Sequence, residues 1–160
     1  MKIKSRHHLK GSDARKIIAK IEPFLEDPSH LRQSSLEMAV SDDGVDLIFI
    51  EGRPLLMIVE DQPFFTVLGA IEMMPYKRLV MVDSGAVRFV VNGADIMKPG
   101  IVSADPEIAV GDLVVIVEER HNKPLAIGRA LVAGTEMKGE GKAVKSLHHV
   151  GDAIWKGLEE

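Results

Sequence analysis

A few cations, amides and glycines in this chain are spaced so that they could bind a polyanion. Arg88 and Asn92 stand four residues apart in a stretch, Ala86 to Asn92, that fits two helical turns. They share one face of it, while Ala86, Phe89 and Val90 share another. Asp83 and Ser84 just before it are N-cap types, and Asn92-Gly93 after it tolerate the left-handed backbone that ends helices. A short extended run, Asp95-Ile96-Met97, follows and is closed by the turn signal Lys98-Pro99-Gly100. Gly93 and Gly100 lack a Cβ, so they serve tight turns or let a ligand backbone come close. Gly128-Arg129-Ala130 poses the same choice in an apolar strand. Arg129 is an ordinary outward-facing residue, or Gly128 admits a nucleic-acid backbone while Arg129 meets phosphate. Two local basic clusters add to the set. Lys2, Lys4, Arg6, Lys10, Arg15, Lys16 and Lys20 face the single acid Asp13, and Lys138, Lys142 and Lys145 lie near His148 and His149 with Glu140 between them. Each cluster is a solvated face or a phosphate-binding one.

Catalytic chemistry has less support. Gly139-Glu140-Gly141-Lys142-Ala143 fails as a phosphate loop, because Glu136 stands where the first glycine is needed and Ala143 replaces the magnesium-binding hydroxyl. In His7-His8 and His148-His149, neighbouring side chains on a strand point to opposite faces. The pairs therefore do not converge on a metal and read as surface histidines; no metal and no cofactor are expected. There is no cysteine, hence no thiol nucleophile, disulfide or thiolate metal site, which suits a reducing cytosol and a cytoplasmic protein. No Gly-x-Ser-x-Gly elbow is present, and none of the many carboxylates sits in a recognisable acid/base motif.

Length and composition frame these residues. The chain has 160 residues, 46% of them hydrophobic, enough for one ordinary domain or two small ones. The longest apolar runs, Leu55–Val59 and Leu113–Val117, are far short of a membrane span and suit buried strands, so no membrane partner is expected. The formal net charge is −4. Residues 1–76 hold nine basic and twelve acidic side chains, and residues 77–160 hold eleven and twelve, so neither half carries the diffuse basic charge usual in nucleic-acid binders.

The elements that must position these groups follow from periodicity. Met1 to Leu9 reads as a strand. Ala14 to Leu25 carries Ile17, Ile18, Ile21 and Leu25 on one helical face, with Ser12 as the expected cap and Pro23 ending the helix. Ser34–Ser41, Val45–Glu51 and Pro54–Glu60 read as an antiparallel three-stranded meander. Phe64–Met73 is ambiguous, with a short helix over Thr66–Met74 ended by Pro75. Beyond a boundary at Met74–Lys77, short strands at Leu79–Val82, Leu113–Val117, Leu125–Val132 and Lys142–Val150 suggest a closed or half-closed barrel. Phe65 and Phe89 are expected in the core, and Trp155 against a C-terminal tail.

The run Val82–Val102, continued by Ala104-Asp105-Pro106-Glu107, Val110-Gly111-Asp112-Leu113 and Leu125-Ala126-Ile127-Gly128-Arg129-Ala130, resembles the PUA domain. That is an RNA-binding module found attached to pseudouridine synthases and archaeosine transglycosylases. Gly52–Pro75 is similar to the segment preceding it in the malignant-T-cell-amplified-sequence family and its archaeal relatives, which work in translation. The resemblance implies an α+β chain, with a small N-terminal domain of a helix on an antiparallel meander over residues 1–75, a β-pseudobarrel PUA domain over 76–155 and a tail over 156–160. It implies a non-catalytic protein that binds structured RNA, either tRNA or ribosomal RNA, through Gly85, Ala86, Arg88, Asn92, Gly93, Lys98, Pro99, Gly100, Gly128, Arg129, Lys142 and Lys145. It also implies work on the small ribosomal subunit with a protein partner that has an initiation-factor-like domain. An RNA-modification enzyme or accessory subunit, with the N-terminal half contributing to catalysis, is the alternative; a protein-interaction adaptor is a third reading.

Overall fold

Residues 1–158 are described in a computed structural model, and they divide between Tyr76 and Lys77 into two units of mixed helix and strand. In the first, β1 (Ile3–His8), β2 (Leu36–Ser41), β3 (Asp46–Ile50), β4 (Arg53–Val59) and β5 (Gln62–Phe65) form one antiparallel sheet in chain order. The meander thus has five strands where three were expected. Helix α1 (Gly11–Ile21) packs against β5 and α3 (Val67–Met73) against β4, and the short α2 (Ser29–Arg32) lies between α1 and β2. The spacing of Ile18 and Ile21 buries both, as the amphipathic pattern requires. Ser12, however, lies inside the helix; Lys10 holds the cap position and no side chain caps it. Pro23 ends the regular helix in a 3₁₀ turn over Glu22–Phe24. Phe24, Phe64 and Phe65 then meet edge to face, with centroids 5.7, 6.1 and 5.2 Å apart, an arrangement favoured by the ring quadrupoles.

The ambiguous stretch resolves into strand and then helix. Thr66, fully buried, caps α3 by accepting from the Gly69 N–H at 2.9 Å and donates its own hydroxyl to the Pro54 carbonyl. α3 ends at Met74, which takes a left-handed backbone, directly before Pro75.

The second unit is a six-stranded sheet in the order β7-β11-β10-β9-β6-β8. These are β6 (Leu79–Val82), β7 (Ile96–Met97), β8 (Ile101–Ala104), β9 (Leu113–Glu118), β10 (Pro124–Ala130) and β11 (Lys142–His149). β6 runs parallel to β9 and the other pairs are antiparallel. The outermost strands, β7 and β8, are joined in sequence through Lys98–Gly100, so the sheet curls into a nearly closed barrel. Its centre is Val80, Val114, Ile116, Ala126 and Val144, all with no exposed surface, and every residue of β9 is buried, in keeping with its unbroken apolar run. β8 was not anticipated.

Two expectations are corrected here. Phe89 is not core but 53% exposed, and His148 is not a surface histidine but fully buried. Alternation along β11 does send His148 and His149 to opposite sides; His148 turns inward and its Nδ1–H lies 3.0 Å from Asp152 Oδ2. Asp152 also accepts from the Trp155 N–H (2.7 Å) and the His149 N–H (2.9 Å), fastening α5 (Ala153–Leu158) to the end of β11. The tail expected from residue 156 therefore begins inside this helix, and its last two residues lie outside those described.

Burial alone would raise the Asp152 carboxyl, but the His148 ring bond and the two amide bonds outweigh it and hold the group below the usual aspartate range. A folded-state pKa below the unfolded value of about 3.9 contributes stability that is complete above that value and is lost as pH falls through the folded one. Asp152→Asn should therefore lower the denaturation midpoint at pH 7, and the gap to the parent protein should narrow as pH drops below about 4. Melting curves at pH 7, 5 and 3 check this; a gap constant across the series would show that the charge is not what holds α5.

Candidate nucleic-acid interface

The site is built on α4 (Val87–Val90), a single turn framed by two backbone devices. Asp83 Oδ1 accepts from the Ala86 N–H at 2.9 Å, which opens the turn. Ser84, the other expected cap, instead donates to Glu119 through its N–H and hydroxyl. At the far end the Gly93 N–H reaches the Val90 carbonyl and the Ala94 N–H reaches the Phe89 carbonyl, both at 3.0 Å, with Gly93 at φ +90°. This crossed pair is a Schellman ending, which needs a left-handed residue at that position. A Cβ on Gly93 would also sit 3.0 Å from His149 Nε2, so the exit loop rests on the outward histidine of β11. The Asp83 N–H donates to the Gly100 carbonyl at 2.9 Å, tying the start of α4 to the end of the Lys98-Pro99-Gly100 turn.

Between α4 and that turn lies a groove of about 540 Å³. Of the residues expected at the site, Gly85, Ala86, Pro99 and Gly100 line it; Phe89, Ala94, Asp95 and Met97 line it too and were not anticipated there. Phe89 and Met97, 53% and 45% exposed, stand open to solvent beside it. A one-turn helix gives its inward position to Val90, 3% exposed, and the ring of Phe89 is left outside, with the exposed Arg88 guanidinium 4.8 Å from its centroid. Asn92, also exposed, donates through its side chain to the Arg88 carbonyl.

Asp83 and Asp95 alone are ionisable among the described residues that line the groove. Asp95 Oδ1 accepts from the Ser146 N–H at 2.9 Å, and Oδ2 lies 3.3 Å from Lys142 Nζ. The Ser146 amide, with Lys142 behind it and burial opposing both, holds the Asp95 carboxyl below its ordinary range. Asp95 is thus committed to the fold through both oxygens and Asp83 through one. Lys142 pairs across the strands with Met97 at the groove, and the Lys98 N–H donates to the Gly141 carbonyl beside it.

The remaining expected residues lie elsewhere on the sheet. Arg129 stands opposite Lys145 on the neighbouring strand, and neither lines the groove. Arg129 is half-buried and its Nη1 donates to the Gly111 carbonyl at 2.8 Å, so it braces the β9–β10 end of the barrel. Gly128 is buried; a Cβ there would lie 2.4 Å from Val144 Cγ1 and 2.7 Å from the Lys145 carbonyl oxygen. The backbone it admits is that of β11, at the bulge between Ile127 and Gly128. Among the described residues, His, Asp and Glu form no group of three able to hold a metal ion, and no helix is long and apolar enough to cross a membrane.

Comparison with known proteins agrees with this architecture. The PUA domain matches residues 78–151. The chain is 40% identical to an uncharacterized protein of Methanocaldococcus jannaschii over 97% of its own length and 98% of that protein's. It is 31% identical to Translation machinery-associated protein 20 of Saccharomyces cerevisiae, covering 96% and 92% of the two chains. It belongs to the family of Translation machinery-associated protein 20 and the Malignant T-cell-amplified sequence proteins. Among solved structures, a hypothetical protein of Pyrococcus horikoshii superimposes with a TM-score of 0.87 at 35% identity, over 96% of this chain and 99% of that one. α4, its Schellman exit and the groove all fall within the PUA domain.

The geometry separates two roles that the sequence left joined. Phe89→Ala should cost less than about 1 kcal/mol of stability, far below the 3–5 of a buried phenylalanine. Gly128→Ala should cost about 1–3 kcal/mol through overpacking against β11. Denaturant midpoints check both; a core-sized loss in Phe89→Ala would mean that the ring is not a surface group.

Proposed function

We propose that the protein binds structured RNA, tRNA or ribosomal RNA, through its PUA domain over residues 76–155, without catalysing a change in it. The observation that carries this reading is the groove beside α4. Of its lining carboxylates Asp95 is engaged through both oxygens and Asp83 through one, Phe89 and Met97 face solvent, and Arg88, Lys98 and Lys142 stand at or near its margins. Folded RNA is recognised by shape and by phosphate and 2′-hydroxyl contacts, so a few cations placed along one groove suffice despite the net charge of −4. The names of the family's yeast members place them with the translation machinery. By extension we place this protein in the cytoplasm, on the small ribosomal subunit, with a partner that has an initiation-factor-like domain. Residues 1–75 serve as an accessory domain, not as the catalytic half of an RNA-modifying enzyme.

Filter binding to total tRNA and ribosomal RNA across a salt series tests this. Each phosphate contact removed lowers the slope of log affinity against log salt by roughly 0.7–0.9. Arg88→Ala and Lys142→Ala should weaken binding and flatten that slope, whereas Lys16→Ala and Lys20→Ala should leave both unchanged. Arg129→Ala must be read beside its melting curve, because its guanidinium also braces Gly111. Asp95→Asn keeps an acceptor for the Ser146 N–H and releases Lys142, so it should tighten binding and steepen the slope. Loss of binding in the Lys16 and Lys20 variants alone would move the RNA face to the first unit. A modified nucleoside appearing in RNA incubated with the protein would overturn the non-catalytic reading.

A further inference from the structure

The first unit contains a second concavity, of about 350 Å³, at the end of the meander where the β3–β4 turn approaches α2 and the end of α3. Its floor is aliphatic: Leu25, Leu31, Ile50 and Leu55 are each less than 10% exposed, with Met73 beside them. Its volume lies in the lower part of the range for ligand pockets, about 300–1,000 Å³.

The rim has a definite charge. Arg53 is spent on Glu72, its Nε 2.7 Å from Oε1, and these two cancel. Asp27 uses one oxygen, Oδ1, to accept from the Ser29 N–H (3.0 Å) and hydroxyl (2.6 Å). Glu51 uses Oε1 to accept from the Ser35 N–H at 2.8 Å. No protein donor meets Asp27 Oδ2 or Glu51 Oε2 among the described residues, and the nearby Arg32 is held by Glu22 at 2.7 Å. The Asp27 carboxyl stays ionised well below neutral pH because the Ser29 hydroxyl and amide stabilise its charged form. The concavity therefore pairs an apolar floor with two anions at the mouth, each with one oxygen unused, beside His30 and with Arg32 close enough to act on Asp27. That field repels phosphate, so the groove does not take RNA, and it selects against acidic peptides for the same reason.

We infer that this groove docks a cationic segment of another protein, in which one or two aliphatic side chains enter the floor while an adjacent Lys or Arg pairs with Asp27 and Glu51. The aliphatic contact supplies affinity and the anions supply selectivity and orientation. The site lies wholly within residues 25–73 and does not depend on the RNA reading of the PUA domain.

The test uses the full chain with labelled methyl groups and three synthetic probes: acetyl-Lys-Leu-Lys-Leu-Lys-amide, the same peptide with Glu for Lys, and the same peptide with Ser for Leu. The Lys-Leu peptide should shift the methyl resonances of Leu31, Leu55 and Met73 saturably, and the other two should not. Asp27→Asn with Glu51→Gln keeps the acceptors for the Ser29 and Ser35 amides, so the fold survives, as a melting curve would verify. It should weaken the Lys-Leu peptide by roughly five-fold, the scale of two exposed ion pairs. The inference is overturned if the Lys-Leu peptide leaves these methyls unmoved or the Glu-Leu peptide moves them equally. It is likewise overturned if single-stranded RNA competes for the groove, or if the same methyls shift with protein concentration alone, which would assign the groove to a second copy.

Discussion

The second unit depends on carboxylates that accept bonds from backbone N–H groups. Asp83 opens α4, Asp95 fixes Ser146 on β11, and Asp105 receives the amides of Arg78 and Glu107. Asp112 receives Ala109, Glu118 closes the β9–β10 hairpin by accepting from Arg120, His121 and Lys123, and Asp152 starts α5. A small barrel of short strands has many turns, each leaving amides without a partner in the sheet, and buried or half-buried amides must find one. Charged acceptors bind them more strongly than neutral ones. Acidic residues are thus part of how this barrel closes.

This constraint bears on function. Net charge counts every carboxylate as though it faced solvent, but here their lone pairs point into turns and at N–H dipoles. Cations are divided in the same way: Lys142 leans on Asp95 and Arg129 on the Gly111 carbonyl, while Arg88 lies over an exposed ring and remains open to a ligand. The groove beside α4 is then an apolar slot with cations close by, within a protein whose total charge is negative.

Much of this architecture was legible in the sequence where the signal was local. The end of α4 could be read because Asn92-Gly93 is a strong stop, and Gly93 does adopt the left-handed backbone. β9 could be read from its apolar run. The hairpin that adds β5 could not, because Glu60 and Asp61 make the turn with φ of 47° and 67°, a conformation whose usual signature is Asn-Gly. Phe89 was misassigned because helical spacing assumes a helix long enough to have faces, and α4 is one turn. His148 shows a different limit: alternation says that neighbours diverge, but which one turns inward depends on Asp152, four residues on and in another element. Gly128 and Arg129 also have partners within the fold, Lys145 and Gly111, which the sequence does not reveal because the fold alone brings them together.

The central claim is that RNA occupies the slot framed by α4 and the Lys98–Gly100 turn. Amide chemical-shift mapping of the full chain titrated with tRNA tests it most directly. The account predicts that perturbed amides cluster at Gly85, Ala94, Met97, Gly100 and Lys142 and fade together as salt is raised. Perturbations centred on the basic first twenty residues, with the α4 segment silent, would contradict it.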